Sequence, residues 1–215
     1  MVVSIKWLDH ASFQIKSGGK VIYIDLAGDA EASEKADLVL VTHSHPDHFD
    51  PAKIKKVSKS STITIAPKDC VPNLGGKPNI VKTGDDVRLG DIAVKAVEAY
   101  NYKRFRSPGV PFHPQGQGVG YVVTIGDKRI YHAGDTDFIP EMRRLKNVDM
   151  ALLPTGDKYT MDNSEAAEAA IAIKPKTAMA MHTWETDREE FKKKVEAKSR
   201  IKVVLLQEGE EYELN

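Results

Sequence analysis

Apolar residues fall along this chain in short bursts, many of them paired around a glycine. Phe13-Gln14-Ile15-Lys16 and Val21-Ile22-Tyr23-Ile24 flank Gly18-Gly19, and Val87-Arg88-Leu89 and Ile92-Ala93-Val94 flank Gly90-Asp91. Val122-Val123-Thr124-Ile125 and Arg129-Ile130-Tyr131 repeat the device around Gly126-Asp127. Each pair reads as a β-hairpin, because glycine supplies the backbone torsions of a tight turn. Continuous apolar runs at residues 36–42, Leu152-Leu153, residues 177–181 and residues 203–206 read instead as buried strands. Helices are predicted over about 51–58, 138–147, 163–173 and 187–198. Asp50 is placed to cap the first, with Pro51 at its first helical position. Asp162, three residues before Glu165, has the capping-box spacing for the third. Hairpins with interspersed helices favour two sheets covered by helices over a strict alternation of strand and helix. No repeat and no linker interrupts the pattern, so residues 1–215 are expected to form one domain.

Chemistry concentrates where the strand at 36–42 ends. His43-Ser44-His45-Pro46-Asp47-His48 places four metal-binding side chains in six residues. Continued strand alternation would send His43 and His45 to one side, two ligands for one ion. Asp47 and His48 fall on the turn entering the first helix, where they can address a second ion. Asp135 closes Tyr131-His132-Ala133-Gly134-Asp135, with a glycine allowing a sharp turn at a strand end. His182 follows the apolar run 177–181, and His113 lies in a Pro- and Gly-rich loop. His132, three residues before Asp135, is expected to point to the opposite face as a core residue.

The ordered set of Asp25 after an apolar strand, the His-x-His-x-Asp-His block, His113, Gly134-Asp135-Thr136 and His182 resembles the metallo-β-lactamase superfamily. Trp7–Phe13, Tyr131–Thr136 and Leu152–Gly156 look closest to its short, cytoplasmic branch of metal-dependent hydrolases. The resemblance implies an α/β (α+β) fold, the αββα sandwich, and a cofactor of two divalent metal ions, zinc first, with Mn²⁺ or Fe²⁺ also suited to imidazole and carboxylate donors. It places one ion on His43, His45 and His113 and the other on Asp47, His48 and His182, with Asp135 shared. Asp25 would orient ligating histidines from outside the coordination shell.

The activity implied is hydrolysis of an ester, lactone or phosphodiester by hydroxide held between the ions, with Asp47 and Asp135 as catalytic carboxylates. Two cations stabilise both the attacking and the leaving oxygen, and lower the pKa of coordinated water from about 15.7 to about 7. His10 is read either as a proton donor at the site or as a structural histidine. Two other classes compete: a di-iron redox protein of the same fold, which would carry glutamate in place of His45, and a non-catalytic metal scaffold, which a complete ligand set disfavours.

Composition narrows the partners. Lys plus Arg equals Asp plus Glu at 31 each, so the overall field gives no signal for nucleic acid and none for an anionic membrane. A small molecule, anionic or neutral, is the expected substrate, and the oligomeric state is left open. No apolar stretch reaches the length of a membrane span, the start lacks a secretion pattern, and the one cysteine suits a reducing compartment; the expectation is cytoplasmic. Lys103, Arg104 and Arg106, set among Tyr100, Tyr102 and Phe105, read either as an anion-holding loop or as a solvated one. Gly116–Gly120 lacks dinucleotide spacing and reads as a place of close backbone approach. Lys158, Tyr159 and Thr160 follow another strand end and are candidates to complete the pocket.

Overall fold

The computed structural model describes residues 2–214. The chain divides into two compact units, Met1–Lys82 with Leu206–Asn215 and Thr83–Leu205.

The first unit is a seven-stranded sheet. Its strands are β1 (Val3–Asp9), β2 (Ser12–Ser17), β3 (Lys20–Ile24), β4 (Leu38–Leu40), β5 (Ile63–Ala66), β6 (Asn79–Ile80) and the final strand β16 (Glu211–Leu214), in the order β16-β1-β2-β3-β4-β5-β6. Neighbours are antiparallel from β16 to β3 and parallel from β3 to β6. The first glycine pair makes the β2–β3 turn, as its sequence requires. Helix α1 (Pro51–Val57) begins where expected: the Asp50 side chain accepts from the Ala52 and Lys53 N–H groups. Ile54 and Val57 bury the helix face in a core with Tyr23, Leu26, Val39 and Val41.

The second unit repeats the plan. Strands β7 (Asp86–Leu89), β8 (Ile92–Glu98), β11 (Val119–Ile125), β12 (Lys128–His132), β13 (Met150–Pro154), β14 (Thr177–Met181) and β15 (Lys202–Val203) form a sheet ordered β15-β14-β13-β12-β11-β8-β7. Pairing is antiparallel from β7 to β12 and parallel from β12 to β15. A small hairpin of β9 (Phe105–Ser107) and β10 (Val110–Pro111) occupies the stretch read from sequence as a loop. Helices α2 (Asn163–Ile173) and α3 (Arg188–Glu196) complete the unit. Within each unit the candidate chemistry gathers after the carboxyl ends of the parallel strands, where ligands bind in open α/β sheets.

Three elements differ from expectation. Residues 138–147 hold a 3-10 turn, Pro140–Arg144, in place of an α-helix. Ile139, Met142 and Leu145 recur every three residues, which superposes them on a 3-10 turn and spreads them around an α-helix. Of the apolar run 203–206 only Val203 lies in a strand, Lys202–Val203. Asp162 caps α2 by accepting from Ser164 and Glu165 N–H, but the Glu165 carboxylate binds Lys103 and Arg104 in place of closing a capping box. Among the described residues no helix is long and apolar enough to cross a membrane.

Candidate metal-ligand sets

In the first unit the regular strand stops at Leu40, so the His43–His48 block lies in a bend and not on a continued pleat. The turn is closed by the N–H groups of His48 and Phe49, both donating to the His45 carbonyl at 3.0 Å. The Ser44 N–H donates to Asp69 at 3.1 Å and ties the block to the residues after β5. His43 Nε2 and His45 Nδ1 come to 3.1 Å, so the two imidazoles meet as expected, brought together by the bend. One ligand atom each of His10, Asp47 and His48 lie within 4.8 Å of one another. His10 Nε2 stands 3.5 Å from Asp47 Oδ2.

Asp25 fixes the proton positions. Its buried carboxylate accepts from the Thr42 N–H at 2.8 Å, the Thr42 hydroxyl at 2.6 Å and His48 Nδ1 at 2.7 Å. A hydroxyl has one proton, and Thr42 gives it to Asp25; its contact with His43 Nδ1 at 2.9 Å is therefore one in which the ring donates. His43 and His48 thus both keep the Nδ1 proton. In the neutral rings Nε2 then carries the lone pair, the tautomer that partners outside the coordination shell select at metal sites.

In the second unit one carboxylate gathers two imidazoles. Asp135 Oδ2 lies 3.2 Å from His113 Nε2 and 3.1 Å from His182 Nε2, and all three residues are buried. Asn101 orients the first ring: its Oδ1 accepts from the His113 backbone N–H at 3.0 Å and from His113 Nδ1 at 2.7 Å. The Asn101 Nδ2 group donates to Asp137 and to the Tyr159 carbonyl, each at 3.1 Å, which fixes which end of the amide faces the histidine. With Nδ1 donating to Asn101, neutral His113 would present a lone pair to the Asp135 carboxylate. Two acceptors at that distance repel unless a proton or a metal cation lies between them. A donor set of neutral imidazoles and carboxylates suits zinc chemically.

Several positions are held under strain. His10, Asp25, His182 and Trp184 have φ of 42°, 47°, 49° and 45°, in the left-handed region that costs a non-glycine residue energy and collects at functional sites. Gly156 is required beside His182: a Cβ there would lie 2.5 Å from the His182 carbonyl oxygen and 2.6 Å from the Trp184 ring. Gly120 supports the expectation of close backbone approach, since its Cβ would lie 2.8 Å from the Ala133 carbonyl oxygen.

The basic loop resolves differently from either sequence reading. Arg104 pairs with Asp137 at 2.7 Å and Glu165 at 2.6 Å, and also contacts Asp157, while Lys103 pairs with Glu165 at 2.6 Å. Both cations are committed to ion pairs with these carboxylates. Burial works to raise the Glu165 pKa, but the hydrogen bonds and charges of Lys103 and Arg104 outweigh it and hold the carboxyl below its usual range. Arg106 is exposed and sits over the Phe112 ring. Tyr159 packs edge-on against Phe112, and the Thr160 hydroxyl accepts from the Gly156 N–H. His132 is fully buried, and its Nδ1 accepts from the Gly134 N–H, in keeping with a core role. Asn101, Thr42, Asp137 and Gly156 are not singled out as site residues by the sequence, although Thr42 adjoins the His43–His48 block and Gly156 closes the family-like Leu152–Gly156 stretch; their importance lies in contacts with residues one to several dozen positions away.

The sequence profile described as Beta-lactamase superfamily domain matches residues 4–182. A UPF0173 metal-dependent hydrolase of Pelotomaculum thermopropionicum is 36% identical, covering 99% of this chain and 100% of that one. The crystal structure of a protein from Parabacteroides distasonis superposes with a TM-score of 0.88 at 35% identity, covering 94% of this chain and 91% of the other. Igni18, a metallo hydrolase from Ignicoccus hospitalis, superposes with a TM-score of 0.82 at 26% identity, covering 100% and 99%. The fold class is therefore the one expected, the αββα sandwich of metallo-β-lactamase type.

Proposed function

The chain belongs to the metallo-β-lactamase superfamily, among its UPF0173 metal-dependent hydrolases, and from that premise we propose that it hydrolyses an ester, lactone or phosphodiester of a small molecule with two divalent cations. We assign His43, His45 and His113 to one cation and Asp47, His48 and His182 to the other, with Asp135 serving both. The grouping follows the family resemblance, and the whole chain, 1–215, is taken to act as one metallo-hydrolase domain. Zinc is our assignment, with Mn²⁺ and Fe²⁺ as alternatives for the same donors.

One observation carries the reading. His43, His48 and His113 each commit Nδ1 to an acceptor that is itself fixed, namely Thr42, Asp25 and Asn101. Their Nε2 atoms are thereby kept as lone-pair donors, which is what a cation needs and what a scaffold of unrelated core histidines has no reason to maintain. Bound cations would supply Lewis acidity and a hydrolytic nucleophile at neutral pH. Asp47 would orient the attacking water, and His10, 3.5 Å from Asp47, would hold the proton delivered to the leaving group.

The test is metal analysis of natively purified protein followed by assay of that preparation on a nitrophenyl ester, a lactone and a bis-nitrophenyl phosphate. Turnover of at least one, lost on chelation and restored by zinc, is expected. A zinc-loaded protein inert on all three, or an iron-loaded one that consumes dioxygen, overturns the proposal.

A further inference from the structure

Three side chains of the second unit, far in sequence from one another, bury polar atoms that have no hydrogen-bond partner among the described residues: Thr83 Oγ1, Glu98 Oε2 and Arg129 Nε. All three residues line one cavity of about 340 Å³, within the range of about 300–1,000 Å³ usual for small-molecule sites. Buried polar groups in folded proteins are almost always paired, so three exceptions around one hollow call for an explanation. A hydrogen-bonding guest supplies one. None of the three residues is among the proposed metal ligands.

The strand register orders the cavity from end to end. Arg129 pairs with Thr124, and Thr124 with Ala93. Glu98 pairs with Val119, five residues along β8 from Ala93, or about 16 Å at the rise of an extended strand. Thr83 belongs to the Glu98 end, because the N–H of Gly84 donates to Ala96. Glu141 adds a second carboxylate at that end, accepting from the hydroxyl of Tyr100 at 3.3 Å. Lys146 adds a second cation at the other; it and Arg129 line both this cavity and a neighbouring groove with Arg143 and Lys174. Between the ends lies a largely apolar row, beside which Lys95, paired with Asp86 at 3.6 Å, and Arg144 also line the cavity. Val122 and Tyr131 are in register on adjacent strands, and Met142 and Leu145, from and just after the 3-10 turn, also line the cavity.

We propose that this cavity is a second binding site, taking an elongated molecule with an ammonium group at one end, a carboxylate or phosphate at the other and an apolar chain between them. Glu98 and Glu141 receive the ammonium protons, and the Thr83 hydroxyl adds a hydrogen bond. Arg129 and Lys146 receive the anion, for which a guanidinium fork is well shaped. The apolar row covers the methylenes and gives affinity without direction. A fatty acid would bring the two glutamates no ammonium, and an alkylamine would bring Arg129 no anion, so charge at both ends is the basis of selection. The inference does not depend on the metal assignment.

The experiment is titration of the ¹⁵N-labelled full chain with ω-amino acids from 4-aminobutanoate to 8-aminooctanoate, up to about 10 mM, beyond the millimolar affinity of weak ligands. Saturable shifts of the Val97, Val122, Tyr131 and Met142 amides are expected with at least one member. The matching fatty acid and alkylamine should each bind about tenfold more weakly, a difference of about 1.4 kcal/mol. Glu98→Gln should remove the advantage over the fatty acid, and Arg129→Gln the advantage over the amine. No saturable shift with any member, shifts elsewhere in the chain, or equal binding of the singly charged analogues to the unsubstituted protein overturns the proposal. The comparison of analogues decides the matter even if a variant fails to fold.

Discussion

Asn101 Oδ1 accepts both the backbone N–H and the ring Nδ1–H of His113, at 3.0 and 2.7 Å. One side-chain oxygen thus sets the position, rotation and tautomer of a proposed ligand twelve residues away. Replacing Asn101 with Ala removes that acceptor and leaves the His113 Nδ1 proton to redistribute. Loss of such a partner lowers metal affinity or activity by about 10–100-fold, and that is the predicted effect on zinc affinity measured by competition with a chelating dye. Histidine ¹⁵N spectra of the metal-free variant should show His113 leaving the Nδ1–H form. Unchanged affinity with an unchanged tautomer would remove Asn101 from the account.

Gly156→Ala tests the packing behind His182. The added methyl would lie 2.5 Å from the His182 carbonyl oxygen and 3.1 Å from its Nδ1, and the backbone carbonyl cannot rotate away as a flexible side chain would. Overpacking of this kind costs about 1–3 kcal/mol. The variant should melt several degrees lower, and the displaced His182 should reduce metal uptake to a greater extent than the loss of stability explains. Full metal uptake in a folded Gly156→Ala protein would contradict the placement of His182.

Arg104→Met tests whether the basic loop is structural. Asp137 is fully buried and loses its charged partner, a change that costs about 3–5 kcal/mol when a buried pair is broken on one side. Glu165 adds a pH dependence of known sign. Its folded pKa lies below the unperturbed 4.5, so its pairing stabilises the protein above that value and the contribution is lost as pH falls through the folded pKa. The stability gap between the unsubstituted protein and the variant should be full at neutral pH and narrow in acid, as read from urea denaturation across that range. A gap near zero at neutral pH would return Arg104 to the list of substrate contacts.

The hairpins, the buried parallel strands and the capped start of α1 follow from local signals: glycine pairs at turns, apolar runs, and an Asp-Pro step before a helix. The ligand types were equally plain, since clustered histidines with an aspartate have few other uses. What was not legible was how their protons are fixed. Thr42 looks like the end of a strand, Asn101 like part of a loop, and Arg104 like either an anion-holding or a solvated residue. Each takes its role from Asp25, His113 or Asp137, and those pairings exist only once the sheets have set the register. The period-three spacing of Ile139, Met142 and Leu145 is compatible with an α-helix as well as with a 3-10 turn, because three and 3.6 separate poorly over two turns.

The central claim is that these donors hold two divalent cations per chain, with Asp135 common to both. It is tested most directly by titrating metal-free protein with zinc and counting bound ions by native mass spectrometry, alongside Asp135→Ala. The account predicts two zinc ions on the unsubstituted chain, and a folded variant that binds fewer and turns over no substrate. A chain that takes up no zinc under saturating conditions, or an Asp135→Ala protein with full occupancy, would contradict it.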